Sequence, residues 1–222
     1  MDVSRQSIEQ DVEPERGPRA RTRRLMLETA TRLMQSGATP SVSEVAEAAE
    51  VSRATAYRYF PSQAALVHAV VDEALGPILT RPNERANAED RVDELLRTSL
   101  PRIEEFEATF KAALKLSLDQ WAKRQAGSLG DEPQFTRGHR IDLLEDALEP
   151  LRGDLSEDEF LRLAQALSLI YGVEALVVLK DIWGLDMGRV QTVTRWAASA
   201  LVRAAIHQGA EAGSRSNESQ SG

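Results

Sequence analysis

The chain has no cysteine among its 222 residues and only three histidines, His68, His139 and His207. Lacking cysteine, it can have no disulfide, no thiolate nucleophile and no cysteine-based metal site, and a reducing cytoplasm is the expected compartment. The histidines are scattered in sequence, there is no Gly-rich phosphate loop, and the carboxylates fall mostly on helix faces expected to be solvated. No catalytic residue, no metal ligand and no cofactor is therefore expected, and the chain does not read as an enzyme. Its longest apolar stretch, "LIYGVEALVVL" (169–179), is interrupted by Glu174 and falls well short of the roughly 20 residues that span a bilayer. Met-Asp-Val followed by acidic residues lacks the basic lead of a secretion signal, so neither export nor a membrane partner is expected.

What is present is enough apolar material for a core, 42% of residues, and an uneven distribution of charge. The net charge is −8, yet residues 16–63 hold eight arginines against four acids, between an acidic start and an acidic remainder. A basic block inside an acidic chain points to a small anion-binding module joined to a larger domain of different purpose.

Periodicity and punctuation give an all-α chain with neither strand alternation nor internal repeats. Residues 1–18, polar with Pro14, Gly17 and Pro18, read as a disordered arm. Helix one spans about 19–36 and stops at Gly37 and Pro40. Ser41 and Glu44 have the spacing of a capping box for a helix of two turns. Ser52 caps a third helix that Pro61 ends, and Ser62 caps a fourth that stops at Gly76-Pro77. Beyond a polar linker the helices lengthen. Pro101 marks a break or a first turn, Ser156 and Glu159 repeat the capping box before a long apolar helix to about Trp183, and a last helix covers about 186–208. Residues 209–222 read as a disordered, frayed tail. The expected domains are 19–79 and 80–208.

The third helix carries the most informative stretch, "VSRATAYRYF" (51–60). At about 100° per residue, Ala56 and Phe60 share one side while Ala54, Thr55 and Arg58 point the other way, with Arg53 and Tyr57 on one flank and Tyr59 on the other. Two short helices joined by a turn of about three residues form the unit that lays its second helix in the DNA major groove. Arg53 and Arg58 offer guanidinium forks for guanine edges or phosphates, Thr55 and the tyrosine hydroxyls can donate to phosphates, and Ala54 is small enough to allow close approach. Arg19, Arg21, Arg23 and Arg24 stand where an arm can follow the phosphate backbone. The competing reading is a helical small-molecule-binding or interaction protein without DNA binding.

Residues 21–75, and "SVSEVAEAAEVSRATAYRYFPSQAALV" in particular, resemble the N-terminal domain of tetracycline-repressor-type (TetR) transcription regulators. The resemblance implies an N-terminal three-helix helix-turn-helix domain and a larger C-terminal helical domain for ligand binding and dimerisation. It also implies phosphate contacts from Ser41 or Ser43, Thr55, Tyr57 and Tyr59. The implied partners are a double-stranded DNA operator, a second copy of the chain and a small-molecule effector, and the implied role is that of a ligand-responsive regulator, a repressor rather than an activator. Two positions depart from the family pattern. Glu50 stands where a turn glycine is usual, so a differently built turn is expected, and Gln63 replaces a lysine, so one phosphate contact is expected to be neutral.

In the C-terminal part, the resemblance places the dimer interface on the last two helices, with small or apolar Ala197, Ala200, Leu201 and Ala204 allowing close approach. It also makes Phe106, Phe110, Trp121 and Tyr171 the lining of a ligand cavity. His139 and His207 read as surface or capping residues. Glu174 sits among apolar neighbours and needs compensation. Either a base such as Arg162, Lys180 or one from the second subunit pairs with it, or it joins Tyr171 as the polar end of the cavity and selects a cationic or hydrogen-bond-donating ligand.

Overall fold

The computed structural model describes residues 17–80 and 85–220, with side-chain surroundings as far as Glu211. Most of the predicted arm, and the last two residues of the predicted tail, lie outside these. Among the described residues the secondary structure is helical, with no strand. The elements are α1 (Pro18–Gln35), α2 (Val42–Ala48), α3 (Arg53–Tyr59), α4 (Gln63–Leu75), α5 (Ala88–Glu105), α6 (Glu107–Gln125), α7 (His139–Leu148), α8 (Glu157–Ser168), α9 (Val173–Leu176) and α10 (Met187–Gln220).

α1 starts at Pro18, whose missing N–H falls among the donors that a first turn leaves unpaired anyway. Its inward stripe is Met26, Leu27, Ala30 and Met34. It ends in a Schellman motif: Gly37 takes φ 85°, its N–H reaching the Met34 carbonyl at 2.9 Å, and the Ala38 N–H reaching the Leu33 carbonyl at 3.2 Å. The capping box on α2 forms as its spacing predicts, with Glu44 N–H donating to Ser41 Oγ at 3.2 Å and Ser41 N–H to Glu44 Oε2 at 2.7 Å.

α2 ends in the same motif as α1, without a glycine. The Glu50 N–H meets the Glu47 carbonyl at 3.1 Å and the Val51 N–H meets the Ala46 carbonyl at 2.9 Å, while Glu50 itself takes φ 55°. The expectation of a differently built turn is therefore corrected: the glycine-type geometry is kept, because two backbone hydrogen bonds and the burial of Ala46 and Ala49 fix it around a strained residue.

α4 is the hinge of the architecture. It packs against α1 on one side and against α5 and α6 on the other, while α1 also touches α6. Its C-terminal carbonyls are closed by an arginine from α5, with Arg102 Nε donating to Ala74 O at 2.7 Å. Gln63, expected as a neutral phosphate contact, instead donates from Nε2 to the carbonyls of Thr39 (2.9 Å) and Pro40 (3.1 Å) and staples the start of α4 to the loop before α2.

Three other expectations change. α5 runs through Pro101 to Glu105, so the break falls at Phe106 instead. The long helix read from Ser156 to Trp183 is two segments that meet at 48°, Glu157–Ser168 and Val173–Ile182. Gly172 at φ 115° interrupts the ladder between them, and α9 then continues as a π-helical turn, Val177–Ile182. The last helix runs past 208 to Gln220, where the sequence reads as a frayed tail. α10 packs along α5, burying Val190, Thr194, Ala198 and Val202, with Arg195 paired to Asp93 and Arg203 to Glu89. Among the described residues no single helix is long and apolar enough to cross a membrane.

The turn at Glu50 generates a prediction. Glu50→Gly removes a left-handed penalty of about 1–2 kcal/mol and adds roughly 0.5–1 kcal/mol of unfolded-chain entropy, so it should stabilise the protein by roughly 0.5–1 kcal/mol, read as a higher melting temperature.

Candidate functional site

Two regions of the molecule carry unsatisfied chemistry. The first is the outer face of α3. Ser52 Oγ accepts from the Thr55 N–H at 3.2 Å and donates to Thr55 Oγ1 at 2.9 Å, which fixes the start of the helix. Ala56 and Phe60 are buried, so the opposite side is forced outward, and Arg53, Ala54, Tyr57 and Arg58 are exposed. Thr55 and Tyr59 are half-buried at its edges. Ser43 on α2 and Tyr57 hold their hydroxyls 3.3 Å apart, which ties the two helices together on the exposed side. The Arg58 guanidinium lies 5.5 Å from the Tyr59 ring centre. Arg19, Arg21, Arg23 and Arg24 are exposed on the first turns of α1, and the Arg23 guanidinium sits 5.6 Å from the ring of Phe60. Ser41 is committed to its capping box. The twelve residues singled out on the basic block thus divide between α1, the start of α2 and α3, and α3 carries the outward helix face.

With this geometry in place, likeness to known proteins becomes informative. Residues 26–70 match the family of bacterial regulatory proteins called the tetR family. The match runs from α1 into α4 and so includes α2, α3 and the turn between them. No curated protein matches the chain in sequence. Among solved structures, a TetR transcriptional regulator from Rhodococcus sp. RHA1 is 21% identical, with a TM-score of 0.55 over 84% of this chain and 97% of that one. A Clostridium perfringens protein assigned as a fatty acid metabolism regulator is 16% identical, with a TM-score of 0.51 over 77% of this chain and 94% of that one. At these identities the likeness speaks for the fold of the remaining helices.

The second region is a cavity of about 80 Å³ on the far side of α4, roomy enough for several waters. α4 supplies His68, Val71 and Leu75, and α5 and α6 supply Ile103, Phe110 and Ala113. The loop before α7 supplies Phe135, Thr136 and Arg137, α7 begins with His139 and Arg140, and Tyr171, Gly172 and Val173 close the far side. The wall is mostly apolar. Phe135 is anchored because its N–H donates to the buried Gln120 Oε1 at 2.8 Å, and its ring meets that of His68 at 4.5 Å.

Of the five residues expected at a ligand cavity, Phe110 and Tyr171 line it. Tyr171 is buried with its hydroxyl donating to Ser99 Oγ at 3.1 Å; burial pushes the phenol pKa up, although that hydrogen bond and the charge of Arg140 oppose the rise. Trp121 does not belong there. It is 59% exposed, about 16 Å farther along α6 than Phe110, where the helix has run beyond the cavity. Phe106 is also absent from the lining: it sits at the junction of α5 and α6 under the Arg102 guanidinium, 4.4 Å from the ring centre. Glu174 is compensated inside the chain, but not by the bases expected. Both oxygens are taken, one by Arg137 and one by Arg140. Lys180 pairs instead with Glu107 at 2.6 Å, and Arg162 lies toward Gln208.

Gly172 has two reasons to be glycine. Its φ of 115° suits no other residue, and a Cβ there would meet the Arg140 guanidinium. The missing side chain is the berth that brings Arg140 against Glu174, with Arg140 Nη1 also donating to the Ser168 carbonyl at 3.2 Å. His139, read as a surface or capping residue, lines the cavity and holds Asp72 of α4 at 2.6 Å, while burial lowers the pKa of His68, against the opposing charge of Asp72. Arg137, His139 and Arg140 were missed because they come from a loop and a short helix; the run "RGHR" (137–140) beside Phe135 was the available signal.

On α10, Ala200 and Ala204 are exposed and Ala197 is half-buried, as an outward face requires. Leu201 is half-buried too, and packs partly against this chain's own core. The larger exposed apolar side chains nearby are Trp196 (72% exposed) on α10 itself and Leu169 (78%), Ile182 (73%) and Trp183 (72%) on the segments before it.

Burial alone would raise the Glu174 carboxyl, but the charges and hydrogen bonds of Arg140 and Arg137 outweigh it and hold the pKa below the ordinary 4.5. A carboxylate depressed in the folded state contributes its full stability above the unfolded value and loses it as pH falls through the folded one. Glu174→Gln should therefore cost about 1–2 kcal/mol near neutrality, with the gap to the parent closing in acid below about pH 4. Thermal melts of both proteins across that range measure it.

Proposed function

We propose that the protein is a DNA-binding transcription regulator that acts in the cytoplasm as a homodimer, responds to a small molecule, and represses until that molecule releases it from a two-fold operator. The observation that carries this reading is the outer face of α3: Arg53, Ala54, Thr55, Tyr57 and Arg58 on a capped helix whose other side is locked into a tetR-family domain. Arg53 and Arg58 read base edges or grip phosphates, Thr55, Tyr57, Tyr59 and Ser43 position the helix, and the α1 arginines follow the backbone. The cavity is the effector site, and α4 links the two, since His68, Val71 and Leu75 line it while α3 is joined to α4 through residues 60–62. An effector that favours one setting of α4 shifts the separation of two recognition helices by its differential affinity for the two states.

Selection of bound duplexes from a random library, followed by titration at several salt concentrations, tests DNA binding. Specific, steeply salt-dependent binding is expected, and its absence would return the chain to a helical binding protein without DNA. Arg58→Ala should weaken the selected site by about 1–3 kcal/mol and flatten preference at one position in each half-site. Alanine in place of Arg19, Arg21, Arg23 and Arg24 should lower affinity on all sequences and make the salt slope shallower.

Dimerisation is supported by the exposed apolar side chains on the paired segments around α9 and α10. Val193, Trp196, Ala200 and Ala204 repeat by three and four along one side of α10, opposite the residues buried on α5, and Trp183 and Ile182 stand on the adjoining turn. A second copy covers this face through an isologous contact. Ala200→Arg should give a folded monomer with poor operator affinity in sedimentation and titration; an intact dimer would move the interface elsewhere.

A further inference from the structure

The side chains that line the cavity share one property. Every polar one, His68, Thr136, Arg137, His139, Arg140 and Tyr171, can donate a hydrogen bond, and none is a carboxylate. The two acids close by, Asp72 and Glu174, are not part of the lining and are each paired, Asp72 with His139 and Glu174 with the two arginines. Two guanidinium groups share one carboxylate, so the cluster of Arg137, Arg140 and Glu174 keeps one formal positive charge, which no other side chain among the described residues pairs with. Arg140 cannot swing away freely, because Gly172 berths it and the Ser168 carbonyl holds Nη1, whereas Arg137 stands on the loop edge and is about one third exposed. Opposite this polar rim the wall is Val71, Leu75, Ile103, Phe110 and Phe135, which favours an apolar body.

We propose that the cavity takes an organic carboxylate with an apolar body, its head paired with Arg137 and Arg140 in place of Glu174. This rests on the reading of the cavity as the effector site, and it reverses the expectation of a cationic ligand drawn by Glu174. A carboxylate matches the forked donors two at a time, a neutral hydroxyl leaves the charge unmatched, and an ammonium meets two guanidinium groups at close range. Glu174 acts as the internal occupant of the head-group position in the free protein, so ligand and Glu174 compete for the same donors.

The test uses the full chain and isothermal titration with sodium butanoate, hexanoate, octanoate and benzoate, against 1-hexanol and hexylamine at matched ionic strength. A carboxylate should bind saturably, with hexanol about tenfold weaker or more than hexanoate and hexylamine weaker still. Arg137→Gln, on the loop edge, should bring hexanoate down to the level of hexanol while leaving hexanol unchanged. Glu174→Gln should tighten hexanoate severalfold, because the competing charge is gone, and leave hexanol unchanged. The proposal is overturned if no carboxylate saturates, if hexanol or hexylamine binds as well as hexanoate, or if Glu174→Gln weakens hexanoate. Should Arg137→Gln fail to fold by circular dichroism, the comparison of parent ligands and the direction of the Glu174→Gln effect still decide. Titration needs no DNA, so carboxylate binding without operator binding retains the site and removes the regulator, and operator binding without carboxylate binding does the reverse.

Discussion

One helix carries the hydrophobic core from the first three helices into the rest of the chain, and the remaining arrangement follows from that. α4 buries Leu66, Val67, Val70 and Ala74, and it packs on α1 and on α5 and α6 at once. The same helix offers His68, Val71 and Leu75 to the cavity and Asp72 to His139, at spacings of three and four that mark a single side. Both of its ends are fastened, the first by Gln63 to the loop ahead of α2 and the last by Arg102 from α5. Because close-packed interiors do not deform smoothly, any change in its position must be shared by the small domain and the large one.

The cavity exists because a different helix is broken. A straight run from Ser156 to Trp183 would have laid one continuous apolar surface across the large domain. Residues 169–172 break it, the two segments meet at 48°, and Gly172 at the end of the break leaves a space that the Arg140 guanidinium fills. That guanidinium brings Glu174 into the chain's own charge balance, which costs far less than leaving a half-buried carboxylate without a partner. One short break thus accounts for the bend, the arginine berth and the basic rim together.

The first four helices were legible almost to the residue, since their information is local. Caps at Ser41, Ser52 and Ser62, the stops at Gly37 and Pro61, and a helical period that separates Ala56 and Phe60 from Arg58 all act within a few positions of one another. Glu50 misled because a propensity was weighed without the two backbone hydrogen bonds that override it. The cavity was far less legible. Arg137 and Arg140 meet Glu174 across more than thirty residues, and Phe135 is placed by Gln120, a buried polar side chain that carries no periodic signal. The break that closes at Gly172 was hidden for the opposite reason: one glycine inside an apolar run reads as a tolerated helix residue, and its contact with Arg140 is visible only in three dimensions.

The sign of the cavity's preference is where local and global charge disagree, and magnitudes decide it. The chain carries −8 overall, and on that basis a cation would be drawn toward the larger domain. Exposed charges beyond about 8–10 Å are largely screened at physiological salt, so this surplus acts weakly at a site walled by Val71, Ile103 and Phe110. A guanidinium at contact distance acts with about 4 kcal/mol at an effective dielectric near 20, before desolvation of either partner is subtracted. Desolvation then falls on both sides of the comparison, but the arginines have already lost part of their water to the fold, whereas an entering cation must lose its own and gains only repulsion in return. Two guanidinium groups at close range, one of them berthed against Gly172, therefore outweigh a diffuse excess of acids, and the polar end of the cavity is basic although the protein as a whole is not.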